Sequence, residues 1–61
     1  MMILNENLNS YKIAVTSEKI DSGDYVVVRL TKKDAADMAF SMSHDRAREL
    51  LERLKEVLGD E

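Results

Sequence analysis

The chain has 61 residues, one domain near the lower size limit for a protein that builds its own core. Without cysteine it can form neither a disulfide framework nor a thiolate metal site, and no apolar run approaches the roughly 18 residues of a membrane span. Twelve acidic against nine basic residues leave a net charge of −3, which opposes non-specific nucleic-acid binding unless the basic residues segregate.

The rest of the composition, 34% charged and 44% hydrophobic, belongs to a folding chain rather than a disordered one. The N-terminus lacks the basic stretch and apolar core of a secretory signal, so the expected location is the cytoplasm. With so small a core, a dimer or a partner is a natural supplement.

Residues 1–10 read as a lead-in, with Ile3, Leu4 and Leu8 as apolar anchors among turn-favouring Asn5, Asn7 and Asn9. From Tyr11 the period becomes two, since Tyr11, Ile13 and Val15 alternate with Lys12, Ala14 and Thr16. Asp21-Ser22-Gly23-Asp24 is a turn, and Gly23 can supply the positive φ that hairpins require. The following run to Thr31 is dense in β-formers. A turn centred on Ser22 and Gly23 would set Val15 beside Leu30 and Ser17 beside Val28.

Residues 32–42 can be read two ways. As helix, Thr31 caps, Asp34 sits at N3, and Ala35, Met38, Ala39 and Met42 share a face. As strand, Met38, Phe40 and Met42 lie beside Leu30, Val28 and Val26 after a turn at Lys33-Asp34-Ala35. The strand is preferred because it puts every large apolar residue on the face already chosen, whereas the helix leaves Phe40 off its stripe. The intrinsic preference of Ala and Met runs the other way.

Residues 43–58 give the clearest signal. Ala47, Leu50, Leu51, Leu54, Val57 and Leu58 form one stripe of helical period. Ser43 is placed as N-cap, Asp45 at the positive end of the helix dipole, and Gly59 just past the last turn. On the helix surface Glu49 and Arg53 form a favourable four-residue pair.

The chain therefore reads as α+β: a single domain over 1–61 with a lead-in (1–10), a three-stranded antiparallel β-meander (11–42) and one C-terminal amphipathic α-helix (43–58) packed on one face. The predicted core is Tyr11, Ile13, Val15, Val26, Val28, Leu30, Met38, Phe40, Met42, Ala47, Leu50, Leu51, Leu54, Val57 and Leu58.

Nothing in the sequence assembles a catalytic constellation. His44 is the only histidine and sits in the first helical turn, where Ser43 is already explained as a cap. One histidine among scattered carboxylates gives no metal-ligand spacing, and the Asp21–Asp24 turn lacks the distal glutamate of a calcium loop. Two glycines cannot build a phosphate-cradling loop. No cofactor, no metal and no enzymatic activity are expected.

Two surfaces are left as candidates. The sheet face away from the helix carries Tyr25, Val27 and Arg29; Tyr25 and Val27 are large for a solvated face and are expected to lie uncovered unless the N-terminal residues fold over them. The hairpin-tip end gathers Glu18, Asp21 and Asp24, with Asp45 and Glu49 brought near by the helix start, opposed mainly by Lys19, Arg46 and Arg48. Such an acidic rim can imitate the spaced charges of a nucleic-acid backbone and occupy a basic groove.

The stretch Val26-Val27-Val28-Arg29-Leu30, with Ala39-Phe40-Ser41-Met42-Ser43-His44-Asp45-Arg46-Ala47-Arg48-Glu49-Leu50, resembles a pattern of small bacterial and phage-type proteins. In these a strand ends in Phe-x-Met/Leu-Ser and a helix follows with Ala-Arg-x-Leu. The resemblance covers roughly residues 25–58 and implies the third strand. Those proteins are mostly of unknown function, so no site residue transfers. In size, acidity and lack of catalytic residues the chain is also similar in style to phage-encoded anti-CRISPR proteins, which act by binding. A likeness of Lys32-Lys33-Asp34-Ala35-Ala36 to the helix start of double-stranded-RNA-binding domains fails, because no long helix precedes it and the net charge is negative.

Three functional expectations follow. The first is an inhibitor-like binding protein that presents its acidic end and open sheet face to a nucleic-acid-handling partner. The second is a dimeric nucleic-acid-binding or regulatory domain using Lys12, Tyr25, Arg29, Lys32 and Lys33. The third is a homo-oligomerisation module that pairs through the Tyr25 face.

Overall fold

In the computed structural model, which describes residues 7–59, three strands and one helix follow each other in the predicted order. Strand β1 (Lys12–Ile20), β2 (Gly23–Thr31) and β3 (Met38–Met42) form an antiparallel sheet in the order β1-β2-β3, and α1 (His44–Leu58) follows directly. Residues 1–6, and with them the expected anchors Ile3 and Leu4, lie outside the described residues.

The first hairpin differs from the expected register by two residues. Asp21 (φ 48°) and Ser22 (φ 70°) both take positive φ and form a two-residue loop, so Ile20 pairs with Gly23. Val15 therefore lies beside Val28, Ser17 beside Val26 and Ile13 beside Leu30. Two consecutive positive-φ residues match the twist of the flanking strands, and Asp tolerates that region better than most side chains. Moving the turn by one residue moves each partner by two, so every side chain keeps its predicted face.

Gly23 is thus needed for space rather than for φ. A Cβ there would sit 2.9 Å from Cε1 of Tyr25, whose ring lies back over the glycine on the same side of the strand. At the opposite end of the hairpin the Lys32 ammonium lies 5.2 Å from the centre of the Tyr11 ring, a cation–π contact.

The second hairpin follows the strand reading of 32–42. Met38 pairs with Leu30, Phe40 with Val28 and Met42 with Val26, after a turn in which Asp34 has φ 63° and the Ala35 N–H donates to the Lys32 carbonyl at 3.3 Å. Cross-strand burial of Met38 and Met42 outweighs the helical preference of Ala and Met.

The helix begins and ends where its caps dictate. Ser43 Oγ accepts from the Arg46 N–H at 3.1 Å, and the Gly59 N–H donates to the Lys55 carbonyl at 2.8 Å with φ 80°. Its charges pair at three-residue spacing, Arg46–Glu49, Glu52–Lys55 and Arg53–Glu56, so Arg53 reaches Glu56 and not the expected Glu49.

The predicted core is only partly closed. Among the described residues just Val27 (4% exposed) and Leu30 (5%) are buried, and both lie on the central strand. Ile13, Val15, Phe40, Leu50, Leu51, Leu54, Val57 and Leu58, all expected inside, are exposed, while Val26, Val28, Met38, Met42 and Ala47 are half-buried. Sheet and helix do not close on each other: Ile13, Val15 and Phe40 on the outer strands and the helix's own Leu50, Leu51 and Leu54 are open together.

Candidate binding surfaces

Side chains of the sheet fall on an inner face, turned toward α1, and an outer face turned away. On the outer face, residues pair in the rows Ala14–Arg29, Thr16–Val27 and Glu18–Tyr25. The Arg29 guanidinium donates to the Glu18 carboxylate at 3.0 and 3.3 Å. An ion pair from the first row to the third spans the middle row, so the stem of Arg29 and the head of Glu18 roof Val27. Tyr25, on the same face toward the tip, is half-buried, with its ring over Gly23.

This corrects the expectation of an uncovered Tyr25–Val27 patch: Val27 is the most buried residue described. The Thr16 hydroxyl donates to the Glu18 carboxylate at 2.8 Å. That bond, together with the Arg29 guanidinium, holds the Glu18 carboxyl below its ordinary value against a small opposing effect of desolvation.

The acidic end is smaller than the sequence implies. Glu18 is neutralised by Arg29, and Glu49 by Arg46 within the helix. Asp21 and Asp24 lie exposed at the hairpin tip, and Asp45 lies exposed in the first turn of α1; none of the three has an ion pair or side-chain hydrogen bond among the described residues. Met42 pairs with Val26, three residues from the tip glycine, so the strand-to-helix handover lies toward this end of the sheet. Of eight candidate residues, the fold thus gathers Glu18, Tyr25, Val27 and Arg29 on adjacent rows of the outer face, with Glu18 and Arg29 paired. It leaves Asp21, Asp24 and Asp45 as free carboxylates.

The surface that sequence reasoning missed is the inner one. Val15, Val26, Val28 and Met42 of the sheet and Ala47, Leu50, Leu51 and Leu54 of the helix line an open apolar groove of ≈ 240 Å³. Ile13 (64% exposed) and Phe40 (51%) flank it on the two outer strands. The signal that could have found it is a count of layers: a three-stranded face and a six-residue helical stripe exceed what one helix can close.

Among the described residues no three His, Cys, Asp or Glu side chains converge as a metal site, and no helix is long and apolar enough to cross a membrane. Compared with known proteins, the chain matches no family model, no curated protein and no solved structure.

Proposed function

We propose that the protein is a non-enzymatic binding protein that offers its hairpin tip to a basic, nucleic-acid-handling surface of a partner protein, an inhibitor-like mode. One observation carries this reading: Asp21, in the two-residue turn, and Asp24, three residues further on, stand exposed without an ion pair among the described residues, whereas four other carboxylates are each held by a cation. A turn with two positive-φ residues is short and stiff, so these charges are displayed with little freedom to lose on binding. Asp45 adds a third carboxylate from the helix start. The likeness in style to phage-encoded anti-CRISPR proteins points the same way.

The nucleic-acid-binding alternative is less well supported. Arg29 is engaged by Glu18, Tyr25 packs on Gly23, and Lys32 is drawn over the Tyr11 ring, which leaves few of its basic and aromatic residues available to phosphates or bases.

The test is capture from nuclease-treated bacterial lysate at stepped ionic strength, with the native chain and an Asp21→Lys/Asp24→Lys variant in parallel. A nucleic-acid-handling protein should be retained by the native chain, released between about 0.1 and 0.5 M salt, and lost with the variant. Equal capture by both chains refutes the acidic-tip reading.

A further inference from the structure

We infer that the inner face is an interface between two copies of this chain, each covering the other's open groove about a two-fold axis. The inference is independent of the acidic-tip reading, because it involves neither Asp21 nor Asp24.

Area is the first argument. A folded monomer of this mass exposes about 4,000 Å², whereas this 7.0 kDa chain exposes 5699 Å². That excess leaves room for the ≈ 800 Å² that a standard interface removes from each partner.

The exposed residues are also of the right kind and in the right place. Ile13, Phe40, Leu51, Leu54, Val57 and Leu58 are contiguous with the groove or continue its helical stripe, and Val57 is 84% exposed. Apolar area left open on this scale marks a contact surface rather than ordinary surface scatter.

Charge selects a second copy over a charged partner. Within α1, Asp45, Glu49, Glu52 and Glu56 balance Arg46, Arg48, Arg53 and Lys55, and three internal ion pairs tie most of them down. Two neutral helices can therefore approach without repulsion. An isologous contact requires one patch that is complementary to itself, and a neutral apolar groove beside a neutral apolar stripe meets that requirement. The hairpin tip, carrying uncompensated aspartates, does not.

The chain's lack of cysteine allows a direct test in the full-length protein. Single-cysteine variants Ile13→Cys (inner face) and Thr16→Cys (outer face) are reacted with a thiol reagent over a concentration series, while sedimentation gives the mass. The expected result is a mass of twice 7.0 kDa, with labelling at position 13 slowing as dimer forms and labelling at position 16 unchanged. Val57→Lys, at a side chain almost free of intrachain contact, should weaken association roughly tenfold or more while the circular dichroism is retained.

Four results overturn the inference. One is a folded chain of 7.0 kDa at every concentration. A second is equal labelling at 13 and 16 throughout, and a third is a dimer that protects 16 instead of 13. The fourth is a monomer in which removal of residues 1–6, not dilution, speeds labelling at 13, because the occupant would then be the chain's own N-terminus. Should Val57→Lys fail to fold, the labelling series in the native background still decides.

Discussion

The two faces of the sheet differ in how far they close. On the outer face Val27 is buried on the central strand, in the row that the Arg29–Glu18 ion pair spans. The inner face holds more apolar residues and a whole helix set against them, and it still leaves Val15 open. The difference lies in reach. Arg29 extends along the strand to reach Glu18 across the Val27 row, whereas the helix leaves its own Leu50, Leu51 and Leu54 open beside the sheet. Apolar residues alone do not make a core; something must be shaped to cover them.

The same substitution on both faces should give the largest difference between them. Val27→Ala removes two methyl groups from a closed site and should cost about 2 kcal/mol at any protein concentration. Val15→Ala removes the same atoms from an open one and should cost less than about 0.5 kcal/mol in dilute solution. Its cost should climb toward that of Val27→Ala as the concentration rises, because the second copy then closes the site. Urea unfolding at two concentrations separates these outcomes. A Val15→Ala cost that is small and concentration-independent would mean that the inner face stays uncovered.

A smaller effect is expected at the tip end of the outer face. Gly23→Ala brings a Cβ to 2.9 Å from the Tyr25 ring, so the ring must swing away from its seat. The expected cost is about 1 kcal/mol, together with a change in the tyrosine near-ultraviolet dichroism. If stability rises instead, relief of glycine's entropy outweighs the ring contact, and Val27 depends on the ion pair alone.

How much of this could be read beforehand differs from element to element. The helix bounds were fully legible, since Ser43 and Gly59 are local signals that act on their own backbone. The third strand was legible from Phe40, because parity on the sheet and periodicity on a helix disagree about that one residue. The hairpin register was misjudged by two, because Gly23 advertises a positive φ that Asp21 and Ser22 in fact supply. Faces survived that error; partners did not. The Arg29–Glu18 pair lies across three rows of two strands, a distance of 11 residues in the chain, and no local pattern foretells it. The openness of the inner face was hidden for a related reason: hydrophobic pattern records which way a residue points, not whether anything arrives to meet it.

The smallest expected effect concerns the roof over Val27 and turns on acidity. The Thr16 hydroxyl and the Arg29 guanidinium stabilise the charged form of Glu18, so its carboxyl is held below its ordinary value in the folded chain. A carboxyl depressed by folding adds stability that is fully present above its unfolded value, about 4.3, and is lost as the pH falls through the lower folded value. The window therefore lies on the acid side of about 4.3. As Glu18 takes up a proton there, Arg29 loses its ionic partner and the cover over Val27 loosens. Titration by nuclear magnetic resonance should find the Glu18 carboxyl carbon with a midpoint below that of a free glutamate, and the Val27 methyl resonances moving with it. In Glu18→Gln, the methyls should rest near their acid-limit positions already at neutral pH and shift little on acidification. Methyls that ignore the Glu18 titration would show that the ion pair stands beside Val27 without covering it, and the outer face would then owe its closure to Tyr25.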